Sequence, residues 1–246
     1  MFHGKKISVV FATYREKASI RNAIAEFEGT GIVDEIVVVN NNAELGTDEE
    51  VKKTKARLVY QPKQGYGWAL RKGIKEAVGD YIVLCEPDYT YAGEDIWKFL
   101  AYAEDFDIVF GSRTNRATVA PNTDMSTLRR IGNVFYAKVI EVLYGTKTIT
   151  DIGCTYKLFK KEVLRRIEPY FSSGDPKFAT ELILLAASFK IPFVEIPVNY
   201  RSRVGESTII SHWYKLIRWA FKLMWFFFSF RIKWVLGRIK PSNENV

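Results

Sequence analysis

The segment Gly-Asp-Tyr-Ile-Val-Leu-Cys-Glu-Pro-Asp, residues 79–88, joins a turn signal, a short apolar run and an acidic tripeptide. The apolar run has the length and composition of a buried strand. Because side chains alternate along a strand, Glu86 and Asp88 point the same way at its exit, and Pro87 restricts the backbone between them. Two carboxylates at one point are the hard oxygen ligands that Mg²⁺ or Mn²⁺ prefers when it also binds phosphates. Acidic pairs also end strands as solvated turns, so the pair predicts a metal site only in a suitable context.

The size and composition of the chain are those of a globular protein. Its 246 residues suffice for one well-buried α/β domain or two small ones, and 48% hydrophobic with 26% charged residues argue against disorder. Cys85 and Cys154 lie in separate segments without metal-ligand spacing, which predicts two reduced thiols. No signal peptide is recognisable before the first apolar run, so we expect a cytoplasmic protein.

The positive charge of the chain is concentrated near its C-terminus. Residues 201–246 carry nine Lys and Arg against two Glu, whereas the first 200 residues carry 27 basic and 26 acidic side chains. A basic tail on a nearly neutral body predicts a local anionic partner and argues against a protein that coats nucleic acid.

Short apolar runs alternate with helical stretches over the first 90 residues, which is the pattern of a parallel, doubly wound sheet. The predicted strands of this half are 7–11, 35–39, 57–61 and 81–85, with helices opening near Ser19 and within 64–69. In the second half we predict a strand at 107–110 that ends in Gly-Ser-Arg at 111–113, a polar loop at 114–126, a helix at 128–143 and an edge strand at 195–200.

Polar side chains collect at the predicted exits of these strands. In doubly wound sheets, ligands bind beyond the carboxyl ends of the strands. The side chains placed there are Tyr14, Glu16, Asn40, Asn41, Glu86 and Asp88. Their convergence from three segments predicts one shared site.

Seven short motifs in a fixed order resemble those of the inverting nucleotide-sugar glycosyltransferases with the GT-A fold, in the large family that includes the polyprenyl-phosphate sugar synthases. They are ATYRE at 12–16, EIVVVNNN at 35–42, GYG at 65–67, EPD at 86–88, GSR at 111–113, DIGC at 151–154 and RVGES at 203–207. The resemblance implies a single α/β, Rossmann-like GT-A domain with a mostly parallel sheet over residues 1–208, followed by a basic, aromatic, helical tail at 209–246. It also implies a nucleotide-sugar donor.

The resemblance carries roles over to individual residues. Glu86 and Asp88 take the place of the family's D-x-D metal ligands, which implies Mg²⁺ or Mn²⁺ as cofactor. Tyr14 and Glu16 are implied to line the base and ribose, although a turn tyrosine beside a glutamate at a helix N-terminus has the same sequence. The other implied substrate-binding residues are Asn40, Gly65, Gly67, Arg113, Arg129, Arg201 and Arg203.

Several of these roles have structural alternatives. The glycines would let the backbone approach the nucleotide, or would form a plain left-handed turn at a helix start. Guanidinium groups match phosphates bidentately, so Arg113 and Arg129 are candidates for contact with the diphosphate or the acceptor. Arg201 and Arg203 are implied to clamp the diphosphate. Solvated surface charges are the alternative for Arg129, Arg201 and Arg203.

Inverting transfer to a hydroxyl needs a carboxylate that takes the acceptor's proton. Asp151 and Glu181 stand at the family positions for this base, and the resemblance implies that Asp88 acts in catalysis through the metal. Asp151 and Glu181 would otherwise pair with basic side chains or position the acceptor. An acceptor phosphate is already ionised and needs no strong base, so the acceptor stays open between a lipid-linked phosphate and a saccharide.

Five residues depart from the family pattern. Glu86 adds one methylene to a usual Asp, and Asn40 and Asn41 replace acidic residues that hold the nucleoside. Thr90 and Thr208 stand where lipid-phosphate enzymes often carry Gln and Lys. The leading hypothesis is therefore a metal-dependent transferase acting on a membrane-associated or envelope-glycan acceptor. A polyprenyl-phosphate sugar synthase, a nucleotidyltransferase and a catalytically silent nucleotide-sugar-binding protein are the alternatives.

The C-terminal segment 211–230 is rich in aromatic and aliphatic residues, and Lys215, Arg218, Lys222 and Lys233 fall on one side of the predicted helix. Its longest uncharged stretch has eight residues, far short of the ~20 that span a bilayer. We predict a helix in the plane of an anionic membrane, which makes the protein peripheral on the inner face. The side chains predicted at the membrane boundary are Trp213, Trp219 and Trp225. Packing on the catalytic domain or on a second copy, in a homo-oligomer, is the alternative.

Overall fold

The computed structural model describes residues 1–204 and 213–239, with the side chains of 213–217 left out. Within these residues, seven strands form one sheet. They are β1 Ile7–Thr13, β2 Glu35–Asn40, β3 Arg57–Tyr60, β4 Tyr81–Cys85, β5 Ile108–Ser112, β6 Lys157–Lys160 and β7 Phe193–Pro197. Their order across the sheet is β3-β2-β1-β4-β6-β5-β7. All strands predicted in the first 90 residues are present.

One strand runs against the others. β1 pairs in parallel with β2 and β4, and β7 pairs in parallel with β5. β6 lies between β4 and β5 and is antiparallel to both. The sheet is mostly parallel, as predicted, but sequence reasoning missed β6. Its sequence, Lys-Leu-Phe-Lys, lacks the continuous apolar run that is typical of a central strand. A lysine, Lys157, occupies one of its buried positions instead.

β7 lies at one edge of the sheet, as its proline predicts. The strand covers 193–197 rather than 195–200. β5 continues through Gly111 and Ser112, beyond the predicted strand at 107–110, because both residues pair with the end of β7.

Helices cover both faces of the sheet. Those described are α1 Ile20–Gly29, α2 Thr47–Lys52, α3 Tyr66–Glu76, α4 Ile96–Ala103, α5 Thr127–Tyr144, α6 Lys161–Ile167, α7 Phe178–Ser188 and α8 Trp213–Val235. One core cluster joins α1, α2 and α4 to the strand residues Val9, Phe11 and Val83. The other cluster joins α3, α5, α6, α7 and α8 to the alternate residues Val10 and Leu84. This alternation places one hydrophobic layer on each face of the sheet.

The C-terminal helix α8 is present and contributes to the core. Leu223, Phe227 and Phe230 are buried in the cluster that also contains α5 and α7. The hydroxyl of Tyr144 in α5 donates a hydrogen bond of 2.9 Å to the carbonyl of Phe227. Among the described residues, none of the helices is both long enough and apolar enough to span a membrane. The domain division at 208/209 stays a prediction, and Thr208 and the side chains of Trp213 and Lys215 lie outside the described residues.

Candidate active site

The carboxyl ends of β1, β2 and β4 meet at one edge of the sheet. Thr13 at the end of β1 pairs with Asn40 at the end of β2. Cys85 at the end of β4 pairs with Phe11 in β1. Because these strands are parallel, the segments that follow them leave the sheet on the same side. The structure thus brings the predicted site residues of the three segments to one edge.

The acidic pair lies directly beyond β4. Asp88 is 1% exposed, and its Oδ1 accepts hydrogen bonds from the backbone nitrogen of Thr90 (3.0 Å) and from its hydroxyl (2.6 Å). Nη2 of Arg203 lies 2.8 Å from Oδ2 of Asp88 and 3.3 Å from Oε2 of Glu86. Thr90 therefore fixes one oxygen of Asp88, and Arg203 compensates part of the negative charge of the pair.

The donor set of the pair fits a divalent cation. Oδ2 of Asp88 is buried and has no aligned hydrogen bond, although the charge of Arg203 is close to it. The side chain of Glu86 is 25% exposed and faces the same guanidinium. No cluster of three or more His, Cys, Asp or Glu suited to a metal occurs in the part of the chain that the structure describes. A bound Mg²⁺ or Mn²⁺ would therefore take further ligands from phosphate and water.

Burial and repulsion within the pair both disfavour the ionised form of Glu86. Burial, and then the neighbouring Asp88 carboxylate, raise the pKa of Glu86 to about 8, against the opposing effect of Arg203. A site with two carboxylates close together favours a ligand that brings positive charge.

Asp124 connects two of the predicted arginines. Its Oδ2 lies 3.8 Å from Nε of Arg203, and its Oδ1 lies 3.7 Å from Nη1 of Arg129. The same nitrogen of Arg129 donates to the carbonyl of Asp124 (2.8 Å). Sequence reasoning missed Asp124, which lies in the polar loop before α5 and has no motif of its own. It links Arg129 to the acidic pair through Arg203.

Arg201 is directed elsewhere. Its guanidinium pairs with Glu26 in α1, with Nη2 3.0 Å from Oε1 and Nη1 3.2 Å from Oε2. Its backbone nitrogen donates to the carbonyl of Thr90 (2.7 Å). The structure therefore ties the main chain of Arg201 to the site but does not bring its side chain to Glu86 and Asp88. A contact with the diphosphate stays a prediction for this residue.

Asp151 is fully engaged with Arg113. It accepts hydrogen bonds from Nε (2.8 Å), Nη2 (2.9 Å) and the backbone nitrogen (3.0 Å) of Arg113, and from the backbone nitrogen of Gly153 (3.0 Å). Burial alone would raise the pKa of Asp151, but the charge and hydrogen bonds of Arg113 hold it below its ordinary value. The carboxylate is ionised and both of its oxygens are occupied.

Glu181 organises a loop at the other side of the site. Its Oε1 accepts from the backbone nitrogen (2.9 Å) and the hydroxyl of Ser172, and its Oε2 accepts from the backbone nitrogen of Ser173 (2.9 Å). Burial raises the pKa of Glu181, and these hydrogen bonds oppose the shift. The carboxylate thus holds residues 172–173 in place from the first turn of α7.

The glycine motif meets this same loop. Gly65 has φ of +145°, and a Cβ there would collide with the carbonyl of Gly174. A Cβ at Gly67 would lie 2.6 Å from the carbonyl of Ser173. The backbone nitrogen of Trp68 donates to the carbonyl of Gly174 (3.2 Å). The structure therefore supplies a third reason for these glycines, because they allow the start of α3 to touch the loop that Glu181 holds.

The loop after β1 is closed by Glu16. Its Oε2 accepts hydrogen bonds from the backbone nitrogens of Tyr14 (2.6 Å) and Arg15 (2.8 Å) and from the hydroxyl of Thr13 (3.1 Å). The Tyr14 ring remains exposed. Glu16 thus shapes the turn, and the Tyr14 ring is exposed with the guanidinium of Arg15 5.2 Å from its centre.

The two amides after β2 also shape their surroundings. Nδ2 of Asn40 donates to Oδ1 of Asp48 (2.6 Å), and its Oδ1 accepts from the nitrogen of Ala43 (2.8 Å). Nδ2 of Asn41 donates to the carbonyls of Gln61 (2.7 Å) and Lys63 (2.8 Å). An amide is both donor and acceptor, so Asn40 can donate to the Asp48 carboxylate and Asn41 to two backbone carbonyls, which a carboxylate in either place could not do.

A mostly parallel α/β sheet with an acidic pair at its carboxyl edge is the arrangement expected of a glycosyltransferase of the GT-A fold. The family model of Glycosyl transferase family 2 matches residues 8–168, which is more than half of the chain. The chain therefore belongs to Glycosyl transferase family 2, and the predicted family and enzyme class are confirmed.

Two of the proteins that are similar to this chain are named as dolichyl-phosphate sugar transferases. A dolichyl-phosphate hexose transferase of Haloferax volcanii is 28% identical over 204 residues, which are 82% of this chain and 86% of the relative. A dolichyl-phosphate beta-glucosyltransferase of Trichomonas vaginalis is 29% identical over 185 residues, which are 70% of this chain and 54% of the relative.

A solved structure confirms the fold. Glucosyl-3-phosphoglycerate synthase from Mycobacterium tuberculosis, in complex with Mn²⁺, uridine diphosphate and glucosyl-3-phosphoglycerate, has a TM-score of 0.68 to this chain. The alignment has 16% identity and covers 99% of this chain and 83% of that one. The predicted α/β architecture of the GT-A type is therefore confirmed.

Proposed function

We propose that this glycosyltransferase moves a sugar from a nucleoside-diphosphate sugar, with inversion at the anomeric carbon, to the phosphate of a polyprenyl-phosphate lipid. One observation carries the choice of acceptor. Both oxygens of Asp151 and both oxygens of Glu181 accept hydrogen bonds from within the chain. Because neither carboxylate is free to take a proton, an acceptor that is already ionised fits the site better than a hydroxyl.

The names of the relatives support the same acceptor class. Two of them are dolichyl-phosphate sugar transferases, and one of these aligns over 86% of its length. A saccharide hydroxyl on a lipid-linked or envelope glycan is the second candidate. It is favoured by Thr90, which stands where lipid-phosphate enzymes often carry Gln and which is committed to Asp88.

The residues of the acidic pair have distinct tasks in this proposal. Asp88 and Glu86 would hold Mg²⁺ or Mn²⁺, whose charge stabilises the leaving diphosphate. Thr90 orients Asp88 through two hydrogen bonds. Arg203 lies against both carboxylates and offers a second positive charge to the diphosphate.

The remaining candidates bind or position. Tyr14 offers its exposed ring to the base, and Asp151 holds the guanidinium of Arg113 in a fixed orientation for a phosphate. Glu181 fixes the loop that contacts Gly65 and Gly67. In these roles Asp151 and Glu181 are positioning residues rather than bases.

Product analysis tests the reaction. Purified full-length chain is incubated with UDP- or GDP-sugars and Mn²⁺, with either a polyprenyl phosphate or a saccharide as acceptor. We expect nucleoside diphosphate and a lipid-phosphate sugar. Release of pyrophosphate would indicate a nucleotidyltransferase, a glycosylated saccharide would indicate a hydroxyl acceptor, and donor binding without turnover would indicate a silent binding protein.

We also propose that the protein works as a peripheral protein at the cytoplasmic face of a membrane. A lipid-borne acceptor requires the active site to reach the bilayer surface. The basic C-terminal segment supplies a charge that anionic headgroups attract. Self-association through α8 is the alternative use of the same helix.

A further inference from the structure

The helix α8 is apolar on two opposite sides. Leu223, Phe227 and Phe230 are buried against the domain. On the opposite side, large apolar residues are between 42% and 75% exposed; they are Phe221, Trp225, Phe228 and Ile232. At 3.6 residues per turn, these four fall within an arc of about 60°. A helix that is apolar on both sides normally has a partner on each of them.

A second exposed apolar row lies on the neighbouring helix. The apolar side chains of α5 that are at least 56% exposed are Leu128, Ile131, Phe135 and Val142. Their spacing places them on one side of that helix, within an arc of about 60°. The two helices are in contact, because the hydroxyl of Tyr144 bonds to the carbonyl of Phe227 and the ring of Tyr136 lies 5.9 Å from that of Phe227. This contact is made through the buried side of α8, and each of the two neighbouring helices carries its own exposed apolar row, a feature that marks interaction surfaces.

The charges beside the row on α8 identify the partner. Arg218, Lys222 and Lys233 lie along one flank of the exposed row, and the sequence from Trp213 to Val235 contains no acidic residue. In a symmetric dimer through this surface, the same cations of two copies would approach each other. Anionic headgroups at a bilayer surface would instead be attracted, while aromatic rings occupy the boundary between headgroups and acyl chains.

The surface is also close to the active site. Leu128, at the start of the row on α5, precedes Arg129, whose side chain contacts Asp124. Asp124 is in turn the neighbour of Arg203 beside the acidic pair. A bilayer that touches the beginning of α5 would therefore lie next to the edge of the sheet where the acceptor must enter.

We propose that the exposed rows of α5 and α8 form one docking face for an anionic membrane. Trp225 and its neighbours enter the interface, and Arg218, Lys222 and Lys233 contact the headgroups. Such a face deepens the proposed function, on which it rests, because it states which surface presents the active site to a lipid acceptor. It also separates two of the predicted tryptophans, since Trp219 packs against the core while Trp225 is exposed.

Vesicle sedimentation with the full chain tests the apolar part of the face. The probes are vesicles of phosphatidylcholine alone and of phosphatidylcholine mixed with phosphatidylglycerol. Phe221→Ser combined with Trp225→Ser should weaken binding to the mixed vesicles by roughly tenfold or more. Trp97→Ser is the matched control, because Trp97 is an exposed tryptophan on α4, at the other face of the sheet. Equal loss in the control, or unchanged binding in the double variant, would overturn the docking face.

A charge variant tests the headgroup contacts. Lys222→Glu with Lys233→Glu should abolish the preference for phosphatidylglycerol, as added salt does for the wild-type chain. Lys52→Glu, at an exposed position of α2, should keep that preference. A dimer in analytical ultracentrifugation that dissociates in the Phe221/Trp225 variant would assign the face to a second copy and overturn the membrane assignment.

Donor turnover separates this inference from the proposed function. The Phe221/Trp225 and Lys222/Lys233 variants should retain normal transfer to a short-chain polyprenyl phosphate dissolved in detergent, because none of the changed residues contacts the acidic pair, Arg203 or Asp124. A chain that binds mixed vesicles through this face but transfers no sugar would refute the function and leave the docking face intact. A chain that transfers sugar but ignores every vesicle would refute only the docking face.

Discussion

Two carboxylates at the candidate site each face an arginine, and they differ in how completely their oxygens are satisfied. Asp151 accepts four hydrogen bonds, three of them from Arg113. Asp88 has one oxygen fixed by Thr90 and a second that is buried without an aligned hydrogen bond beside Arg203. A saturated carboxylate holds structure in place, whereas an unsatisfied buried oxygen can accept a further ligand. The comparison therefore assigns positioning to Asp151 and ligand binding to Asp88.

The largest effect is expected at the unsatisfied carboxylate. Asp88→Asn keeps the size of the side chain and its acceptor for Thr90 but removes the negative charge. We expect transfer to fall by roughly 10²-fold or more, together with loss of the Mn²⁺-dependent rise in Tm that a donor gives. Thermal shift with UDP- and GDP-sugars, with and without Mn²⁺, measures this effect.

Glu86→Asp is the matched control for that change, because it keeps the charge and restores the family's commoner ligand. It should retain part of the activity and the Mn²⁺-dependent shift. An Asp88→Asn chain that keeps both activity and shift would remove the acidic pair from the donor site.

Replacing the saturated carboxylate of Asp151 should lower the stability of the fold rather than remove a catalytic base. Asp151→Asn removes the charge that compensates the guanidinium of Arg113 and should lower the free energy of unfolding by about 3–5 kcal/mol. Denaturant unfolding measures the loss, and a double variant with Arg113→Leu and Asp151→Leu should recover part of it. A stable Asp151→Asn chain whose turnover falls by 10²–10⁴ would instead make Asp151 the base for a hydroxyl acceptor.

The ion pair of Asp151 with Arg113 should also make the stability of the fold depend on pH. The pKa of Asp151 is lower in the folded chain than the ordinary value of 3.8. Its contribution to stability is therefore complete above that ordinary value and is lost as the pH falls through the lower folded pKa. Asp151→Asn should flatten the acid limb of the stability curve, as measured by denaturant unfolding at successive pH values. An unchanged acid limb would mean that Arg113 does not stabilise the ionised carboxylate.

Much of this site follows from sequence, and the missing part has a physical reason. Parallel strands bring Tyr14, Asn40 and Glu86 to one edge, because topology alone fixes where strand ends meet. Asp124 could not be predicted, since its contacts depend on how the loop before α5 folds over Arg203. The partner of each arginine is likewise a tertiary property, so Arg201 and Arg203 look alike in sequence but contact different acids.

The fold shows the same limit. Continuous apolar runs predict β2 and β4, because a strand buried on both faces needs them. β6 carries no such run, and its central place in the sheet depends on pairing with β4 and β5. α8 has apolar residues on both sides, so its sequence alone leaves open which side faces the domain. Only the packing of Phe227 and Phe230 decides it.

The smallest effect is expected at a third buried charge, Lys157 in β6, whose amine, like Oδ2 of Asp88, is buried without a hydrogen bond. Its Nζ is buried without a hydrogen bond and lies 4.5 Å from the centre of the Phe110 ring. Burial lowers the pKa of this amine below its ordinary value of 10.5. Because the unfolded chain binds the proton more tightly, wild-type stability should rise as the pH increases from the lowered folded pKa toward 10.5. Lys157→Met keeps the length and removes the charge, so it should raise the free energy of unfolding at neutral pH by about 1–2 kcal/mol, an advantage that shrinks at alkaline pH.

Lys160→Met is the control, at a partly exposed lysine paired with Asp107, and should change the free energy of unfolding by less than about 0.5 kcal/mol. A destabilised Lys157→Met chain would contradict this prediction. It would show that the amine stabilises the fold by balancing the negative charges of the nearby Asp151 and Glu195 carboxylates.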